Sequence, residues 1–404
     1  MSKVMFFCIP AVGHLNPQIA LANALVKKGE QVIFFTTPMH GERVKKSGAE
    51  VRVVDTKRDI QVSEFAVKMG TNMLTIGRFV AEYTLESLPQ VFPQVLEEKP
   101  DYIVHDLITL EGRICARANK IPAVCTIPVF AFQERTWPKA PLVFAGNNFF
   151  KALPHLHEFI RYAQICGYLA KKYGVTFKDL VYLYNDYGDL DIIGISKYFQ
   201  FFPELYTKEK YKFVGPMLLE EREEETLPVE KLKGKKVIYI SLGTAYNNNP
   251  KFYRECFKAF KDTEYVVVMS MKSGIRQPAT GIPNNFIVMD YVPQLKALKY
   301  ADIFVTHAGM NSVMEGYYND VPLVCAPQAM DQIANARRAA QLKAAICLTK
   351  PNAKKLRKAV EKVLSDPVYR ENAVKIGKSL REAGGVDKAV EYIIKFKKEL
   401  GIPD

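Results

Sequence analysis

The sequence predicts an α/β protein of two domains, each a doubly wound parallel sheet. Three observations lead there. Short apolar runs alternate with amphipathic stretches, a pattern that implies parallel strands with helices on both faces. The alternation stops at Glu220–Gly234, which is acidic at first and then broken by Pro228 and Gly234, and it restarts beyond. The chain of 404 residues is long for one compact domain and comfortable for two of about 200. The expected division is residues 1–216, a linker over 217–234, and residues 235–404 with terminal helices, the last of which is free to pack back on the first domain. Two such domains are expected to face each other across a cleft, with ligands beyond the carboxyl ends of the strands.

Taken in order, Val4–Ile9 reads as the first strand and Pro17–Lys28 as a helix whose start is marked by Asn16-Pro17. Val32–Thr36 and Val51–Val54 read as the next strands. After a long, mostly helical stretch come Tyr102–Val104 and Ala123–Ile127. Residues 130–190 are rich in aromatics and read as helices and loops, and Ile192–Ser196 and Lys212–Val214 close the first sheet. The second series is Val237–Ser241, Tyr265–Met269, Phe286–Val288, Ile303–Thr306 and Leu323–Cys325, with helices between. From Pro351 on the chain reads as helical, without a strand.

Hydrophobic residues make up 48% and charged residues 25%, as in ordinary globular proteins. The cysteines Cys8, Cys115, Cys125, Cys166, Cys256, Cys325 and Cys347 form no C-x-x-C pair, and several lie in apolar runs. They read as reduced thiols of a cytoplasmic protein, acting as small core hydrophobes. The segment Met1–Pro10 is too short for a signal peptide, and no apolar run of about 18 residues occurs, so no membrane span is expected. The net charge of +13 is spread along the chain with modest enrichment at the end, which suits anionic ligands. No basic cluster is interleaved with aromatics, which argues against nucleic acid as a partner. A monomer or weak dimer is expected.

The most informative segment runs from Thr306 to Gly316: a buried strand, a glycine-containing turn, then a helix. A helix start offers N–H groups and partial positive charge, a good setting for phosphate. His307 and Ser312 can add donors, and Glu315 shares a helix face with Asn311 and Ser312, where its carboxylate suits a diol such as ribose. Ser312-x-x-Glu315 alone also fits a helix capping box. Further on come Val321-Pro322, Pro327 and Asp331-Gln332-x-x-Asn335-Ala336.

With those residues the sequence resembles the family 1 nucleotide-sugar-dependent glycosyltransferases, whose signature reads H-x-G-x-N-S-x-x-E, V-P, P, then D/E-Q-x-x-N-A. The Ser241-Leu242-Gly243-Thr244 turn and the short chain are similar to the bacterial macrolide-type branch. The resemblance implies a GT-B fold of two Rossmann-like domains. It implies that His307, Gly309, Asn311 and Ser312 hold the donor diphosphate, with Ser241 and Thr244 closing over it. Glu315 would bond the ribose, and Asp331 and Gln332 the sugar hydroxyls, with a simple N-cap the plainer reading of Asp331. Tyr291-Val292-Pro293-Gln294 matches the family's W-V-P-Q, in which the first residue stacks on the base and the backbone at Val292 reads its edge. Tyr291 keeps the aromatic face, and uracil and thymine stay open as the base. Ala308 stands where Cys is common.

In the first domain, Pro10-Ala11-Val12-Gly13-His14-Leu15-Asn16-Pro17 joins the first strand to the first helix, and Gly13 is expected to let the backbone turn sharply. A lone loop histidine is ordinarily a surface residue. The resemblance makes His14 the catalytic base, and Asp106, at another strand end, its orienting partner. His105 is turned the other way by strand alternation. The apolar acceptor would be walled by Phe65, Phe79, Tyr83, Phe130 and Phe132, with Trp137 and Phe144 as further candidates, all of which also read as plain core.

Two patterns compete. Asp189-Leu190-Asp191 matches the D-x-D of metal-dependent glycosyltransferases but reads as a strand entrance, and His155-x-His157 lacks a third ligand nearby. The first-domain glycines do not form G-x-G-x-x-G, which argues against a nicotinamide enzyme. The expected function is an inverting, metal-independent transfer of a sugar, glucose from UDP-glucose, onto a hydroxyl of a flavonoid, other phenolic or macrolide, with no cofactor beyond the nucleotide sugar. The alternatives are a sugar-nucleotide epimerase of the same fold, a lipid or cell-wall glycosyltransferase, and a non-catalytic nucleotide-sugar binding protein.

Overall fold

The computed structural model describes residues 1–58, 73–139, 155–181, 187–219, 227–243, 247–272, 274–275, 281–328 and 330–403. The chain forms two compact units, Met1–Leu219 with Ala383–Asp404, and Glu220–Glu382. The tail from Ala383 thus belongs to the first unit, although it follows the second in sequence. Part of the expected linker, residues 220–226, lies outside the described residues.

The first unit holds β1 (Lys3–Phe7), β2 (Gln31–Thr36), β3 (Glu50–Val53), β4 (Tyr102–Asp106), β5 (Ala123–Ile127), β6 (Leu190–Ile193) and β7 (Tyr211–Phe213). They pair in the order β3-β2-β1-β4-β5-β6-β7, every pair parallel. The second unit holds β8 (Val237–Ser241), β9 (Val266–Ser270), β10 (Phe286–Met289), β11 (Ile303–Thr306), β12 (Leu323–Cys325) and β13 (Ala345–Cys347), in the order β10-β9-β8-β11-β12-β13. These pairs too are all parallel.

Helices cover both faces of such sheets, so the central strands are apolar without alternation. In β1, Val4, Met5, Phe6 and Phe7 are all buried, as is every residue of β4, β5, β8 and β11. Successive residues feed opposite layers: Met5 and Phe7 join one core cluster, Val4 and Phe6 the other. Aromatic pairs lock neighbouring strands, Phe6 on Phe34 at 5.3 Å and Phe7 on Phe35 at 4.9 Å between ring centroids.

Each sheet reverses its winding once. In the first unit the reversal falls between β1 and β4, where Phe7 is in register with His105. In the second it falls between β8 and β11, where Ser241 is in register with Thr306. Chains leave these strand ends in opposite directions, which opens a crevice at the carboxyl edge.

Three expectations need correction. The first helix is Val12–Lys27, so it starts five residues before Pro17. Proline is favoured in a first helical turn, but here Pro17 is the sixth helical residue, where it forfeits the backbone bond to Gly13 and crowds that carbonyl. Gly13 therefore lies in the first helical turn, with no positive φ, and a Cβ there would meet nothing within 4 Å. Strand β13 has no counterpart in the sequence reading; it is three residues long and only one of them is buried.

The C-terminal helix, Gly385–Glu399, is held to the first unit by its ends. Its start is pinned by the Gly385 N–H, which donates to the Val214 carbonyl at 2.6 Å. Near its end the Lys397 ammonium reaches the Glu30 carboxylate at 2.9 Å, with the side chains only 2% and 4% exposed. The Tyr102 hydroxyl donates to the other Glu30 oxygen. Removing one member of a buried pair strands the other charge. Lys397→Ala is therefore expected to lower stability by about 3–5 kcal/mol, read as a fall in the urea midpoint; an unchanged midpoint would show that the pair contributes nothing.

Candidate functional site

Both candidate sites grow from the winding reversals. In the first unit, β1 ends at Phe7 and the chain enters the helix Val12–Lys27, placing His14 in its first turn. Gln18, one turn on, donates to the Thr126 hydroxyl at 2.7 Å and ties the helix to β5. Asp106 is the last residue of β4, the neighbouring strand, and is fully buried. Its two oxygens have separate tasks. Oδ1 accepts from the Ile108 N–H at 3.0 Å, which fixes the carboxylate plane. Oδ2 lies 2.7 Å from His14 Nδ1. A carboxylate only accepts, so Nδ1 carries a proton, and in the neutral imidazole Nε2 carries the lone pair. The His14 side chain is 22% exposed and that of Asp106 is 0% exposed. This is a histidine oriented from behind by a carboxylate, with its basic nitrogen directed away from that carboxylate.

His105 points into the opposite layer, fully buried, and burial with the nearby Arg113 charge holds its pKa down at about 4. Glu111, in the first turn of the helix Leu110–Asn119, accepts from the Thr84 hydroxyl at 3.0 Å. Burial pushes its pKa up to about 7. The sequence reading missed Glu111, because one acidic residue at a helix start is unremarkable.

In the second unit, β11 ends at Thr306 and the chain turns through His307, Ala308 and Gly309 into the helix Met310–Tyr318. Ala308 adopts a φ of +66°, and the turn is held by side chains: its N–H donates to the Thr306 hydroxyl at 3.2 Å. Its carbonyl accepts from Asn335 Nδ2 at 2.9 Å. Gly309 is the N-cap and has no side-chain cap, so Ser312 falls at the third helical position and the capping-box reading of Ser312 and Glu315 is wrong. Both are nevertheless buried and joined to a third element. Gln294, opening the short helix Gln294–Leu298, donates to Glu315 Oε2 at 2.7 Å, with its nitrogen 3.4 Å from the Ser312 hydroxyl.

The His307 imidazole lies between two glycines. A Cβ on Gly243 would stand 2.6 Å from its Cε1, and a Cβ on Gly309 2.5 Å from its Nε2. Burial lowers the His307 pKa to about 4, so near neutral pH the ring is uncharged, and it bonds to the Ser241 backbone. Ser241 ends β8 beside it, with its hydroxyl accepting from the Gly243 N–H at 3.2 Å. Val292 is buried, whereas Tyr291 is 38% exposed. Asp331 is exposed in the first turn of the helix Met330–Gln341. Gln332 is buried, and its Oε1 accepts from the Gln328 N–H at 2.8 Å, which ties it to the preceding loop.

The chain matches the model of the family described as "UDP-glucoronosyl and UDP-glucosyl transferase" over residues 171–397. It is 32% identical over 400 residues to the NDP-glycosyltransferase YjiC of Bacillus subtilis, covering 98% of this chain and 97% of that one. The chain belongs to this glycosyltransferase family. The oleandomycin glycosyltransferase of Streptomyces antibioticus is 27% identical over 405 residues, covering 97% of this chain and 90% of the relative. Among solved structures, the glycotransferase of kitacinnamycin superposes with a TM-score of 0.82 at 25% identity, covering 98% of both chains. The two parallel-sheet units are those of GT-B glycosyltransferases.

For a family 1 glycosyltransferase, the competing patterns have structural partners. Asp189 Oδ2 accepts from the Ala123 N–H at 2.9 Å, and Asp191 Oδ1 from the Gly188 N–H at 2.9 Å. Lys210 pairs with the other Asp191 oxygen at 3.3 Å. The D-x-D carboxylates thus cap strand ends. His157 contacts Glu158 at 3.2 Å. Of the expected acceptor walls, Phe79, Tyr83, Phe130 and Phe132 are all buried. Phe130 packs in an aromatic cluster, 5.7 Å from Phe199 and 4.6 Å from Phe201 between ring centroids. Thr244, Phe65, Phe144 and the Trp137 side chain lie outside the described residues. Six of the seven cysteines are buried and Cys347 is half-buried, all as free thiols. Among the described residues no helix is long and apolar enough to cross a membrane.

Proposed function

We propose that this glycosyltransferase moves glucose from UDP-glucose onto a hydroxyl of a small apolar acceptor, a macrolide or a phenolic compound such as a flavonoid. The transfer inverts the anomeric carbon and needs no metal ion. The observation that carries the reading is the His14–Asp106 pair, a basic imidazole nitrogen presented at a strand end and oriented by a buried carboxylate. His14 Nε2 takes the proton of the acceptor hydroxyl as its oxygen attacks the anomeric carbon in line. The imidazolium that forms is stabilised by Asp106. UDP leaves, its growing charge met by the start of the helix Met310–Tyr318 and by His307, Asn311 and Ser312, with Ser241 alongside. Glu315 and Gln294 take the ribose, Tyr291 stacks on the base, the Val292 backbone reads it, and Asp331 and Gln332 hold the sugar. The relatives' names support a nucleotide-diphosphate sugar as donor and a macrolide as one acceptor class. The unpaired thiols support a reducing, cytoplasmic setting.

Product detection by mass spectrometry, with UDP-glucose and a panel of macrolide and phenolic alcohols, tests the reading. Equal yields with and without EDTA are expected. A loss on chelation that magnesium restores would sink metal independence. Protein that binds UDP but glycosylates nothing on the panel would leave the macrolide and phenolic assignment without support.

The state of His307 gives a second expectation. A site that relied on imidazolium would lose donor affinity as pH rose through the histidine range. Burial keeps His307 uncharged down to about pH 4, so UDP-glucose affinity should stay level between about pH 6 and 8. Calorimetric titration across that window checks this, and a steady weakening with rising pH would contradict it.

A further inference from the structure

We propose that Tyr239 is a positioning residue for the donor: through the Gln294 amide it sets the attitude of the Glu315 carboxylate that holds the ribose diol. This rests on the donor reading above and adds a residue that lies behind the groups assigned to the ligand.

Tyr239 stands in the middle of β8, buried, with its ring stacked on Phe304 of β11 at 4.7 Å and 18°. The two residues are in register on paired strands. Phenylalanine would fill that slot equally well, so the hydroxyl is surplus to packing. A buried hydroxyl destabilises unless it has a partner. This one donates to Gln294 Oε1 at 3.1 Å. It shares a strand face with Ser241, two residues on, whose side chain also bonds to it. Burial pushes the phenol well above its ordinary range, so it remains a donor at any working pH.

The Gln294 amide has an accepting end and a donating end. Glu315 accepts only, so it demands the NH2 end, at 2.7 Å. The oxygen is then left facing Tyr239, and the phenol supplies the matching O–H. Both neighbours select the same amide orientation. The relay thus runs from strand β8 to the helix that carries Ser312 and Glu315, and Tyr239 is its anchor in the sheet.

The test compares UDP with 2′-deoxy-UDP by calorimetry, alongside kcat and KM for UDP-glucose. In the wild type, 2′-deoxy-UDP binds more weakly. In Tyr239→Phe, UDP affinity falls about 3- to 10-fold, while 2′-deoxy-UDP affinity hardly moves, so discrimination collapses. KM for UDP-glucose rises by a similar factor with kcat nearly unchanged. Gln294→Met approaches the relay from its other end, and discrimination collapses there too, whether or not Tyr239→Phe is recovered folded. In the Gln294→Met background, Tyr239→Phe adds no further loss. Discrimination retained in either single variant overturns the inference, as does an equal loss for both nucleotides, which is what a merely structural role would give. A wild-type protein that binds neither nucleotide overturns the donor reading itself, an outcome distinct from failure of the relay alone.

Discussion

Replacing His14 by alanine is expected to slow O-transfer by about 10²–10⁴, the usual worth of a positioned general base, with UDP affinity unchanged. The imidazole Nδ1 is held by a carboxylate whose second oxygen is bound to the Ile108 N–H. That arrangement fixes the tautomer and aims Nε2, and the proposed mechanism gives it no part in nucleotide binding. Asp106→Asn should therefore be nearly as damaging. An amide NH2 turned toward Nδ1 favours the wrong tautomer and removes the basic lone pair from Nε2. Single-turnover rates by mass spectrometry, paired with UDP calorimetry, read both effects. A His14→Ala enzyme with wild-type rate would remove His14 from the mechanism.

The second large effect is expected at Gly309. A Cβ there would stand 2.5 Å from His307 Nε2 and 3.0 Å from Cε1, closer than real contacts allow. The backbone is at φ −60° and ψ 143°, which any residue adopts, so Gly309→Ala tests the imidazole slot alone. Gly243 shares the slot, but its φ of +71° adds backbone strain to any substitution. Displacing the group proposed to meet the leaving diphosphate should lower kcat/KM for UDP-glucose by about 10²–10³. His307→Ala should lower it as much, and the double variant no further, because both changes remove one interaction. Additive losses would show that Gly309 acts through something other than His307.

Much of this was readable from sequence, for a physical reason. Strands buried on both faces appear as unbroken apolar runs, so Val237–Ser241 and Ala123–Ile127 were placed to the residue. Ala345–Cys347 escaped because three residues, two of them half-buried, make no run. Asn16-Pro17 has the chemistry of a helix start, whereas the true first turn of the helix around His14, Val12-Gly13-His14, has no cap residue. Ser312-x-x-Glu315 misled in the opposite direction, as a cap motif in sequence that lies inside the helix. Burial across long separations was invisible. Lys397 reads as a solvated charge beside Lys398 and Glu399, yet its partner Glu30 is 367 positions away. Tyr239 reads as one more apolar strand residue, and only the fold brings Gln294 to its hydroxyl. Phe130 shows the limit for acceptor walls, since aromatics that pack a core and aromatics that line a pocket look alike in sequence.

The most direct test of His14 as base varies the acceptor rather than the enzyme alone. For a series of phenols of increasing acidity, kcat/KM is measured in wild type and in His14→Ala. A more acidic hydroxyl needs less help in losing its proton. The wild-type advantage should therefore shrink steadily along the series and approach unity for the most acidic member. An advantage that stays constant across the series would contradict proton removal by His14 and reduce its part to holding the acceptor.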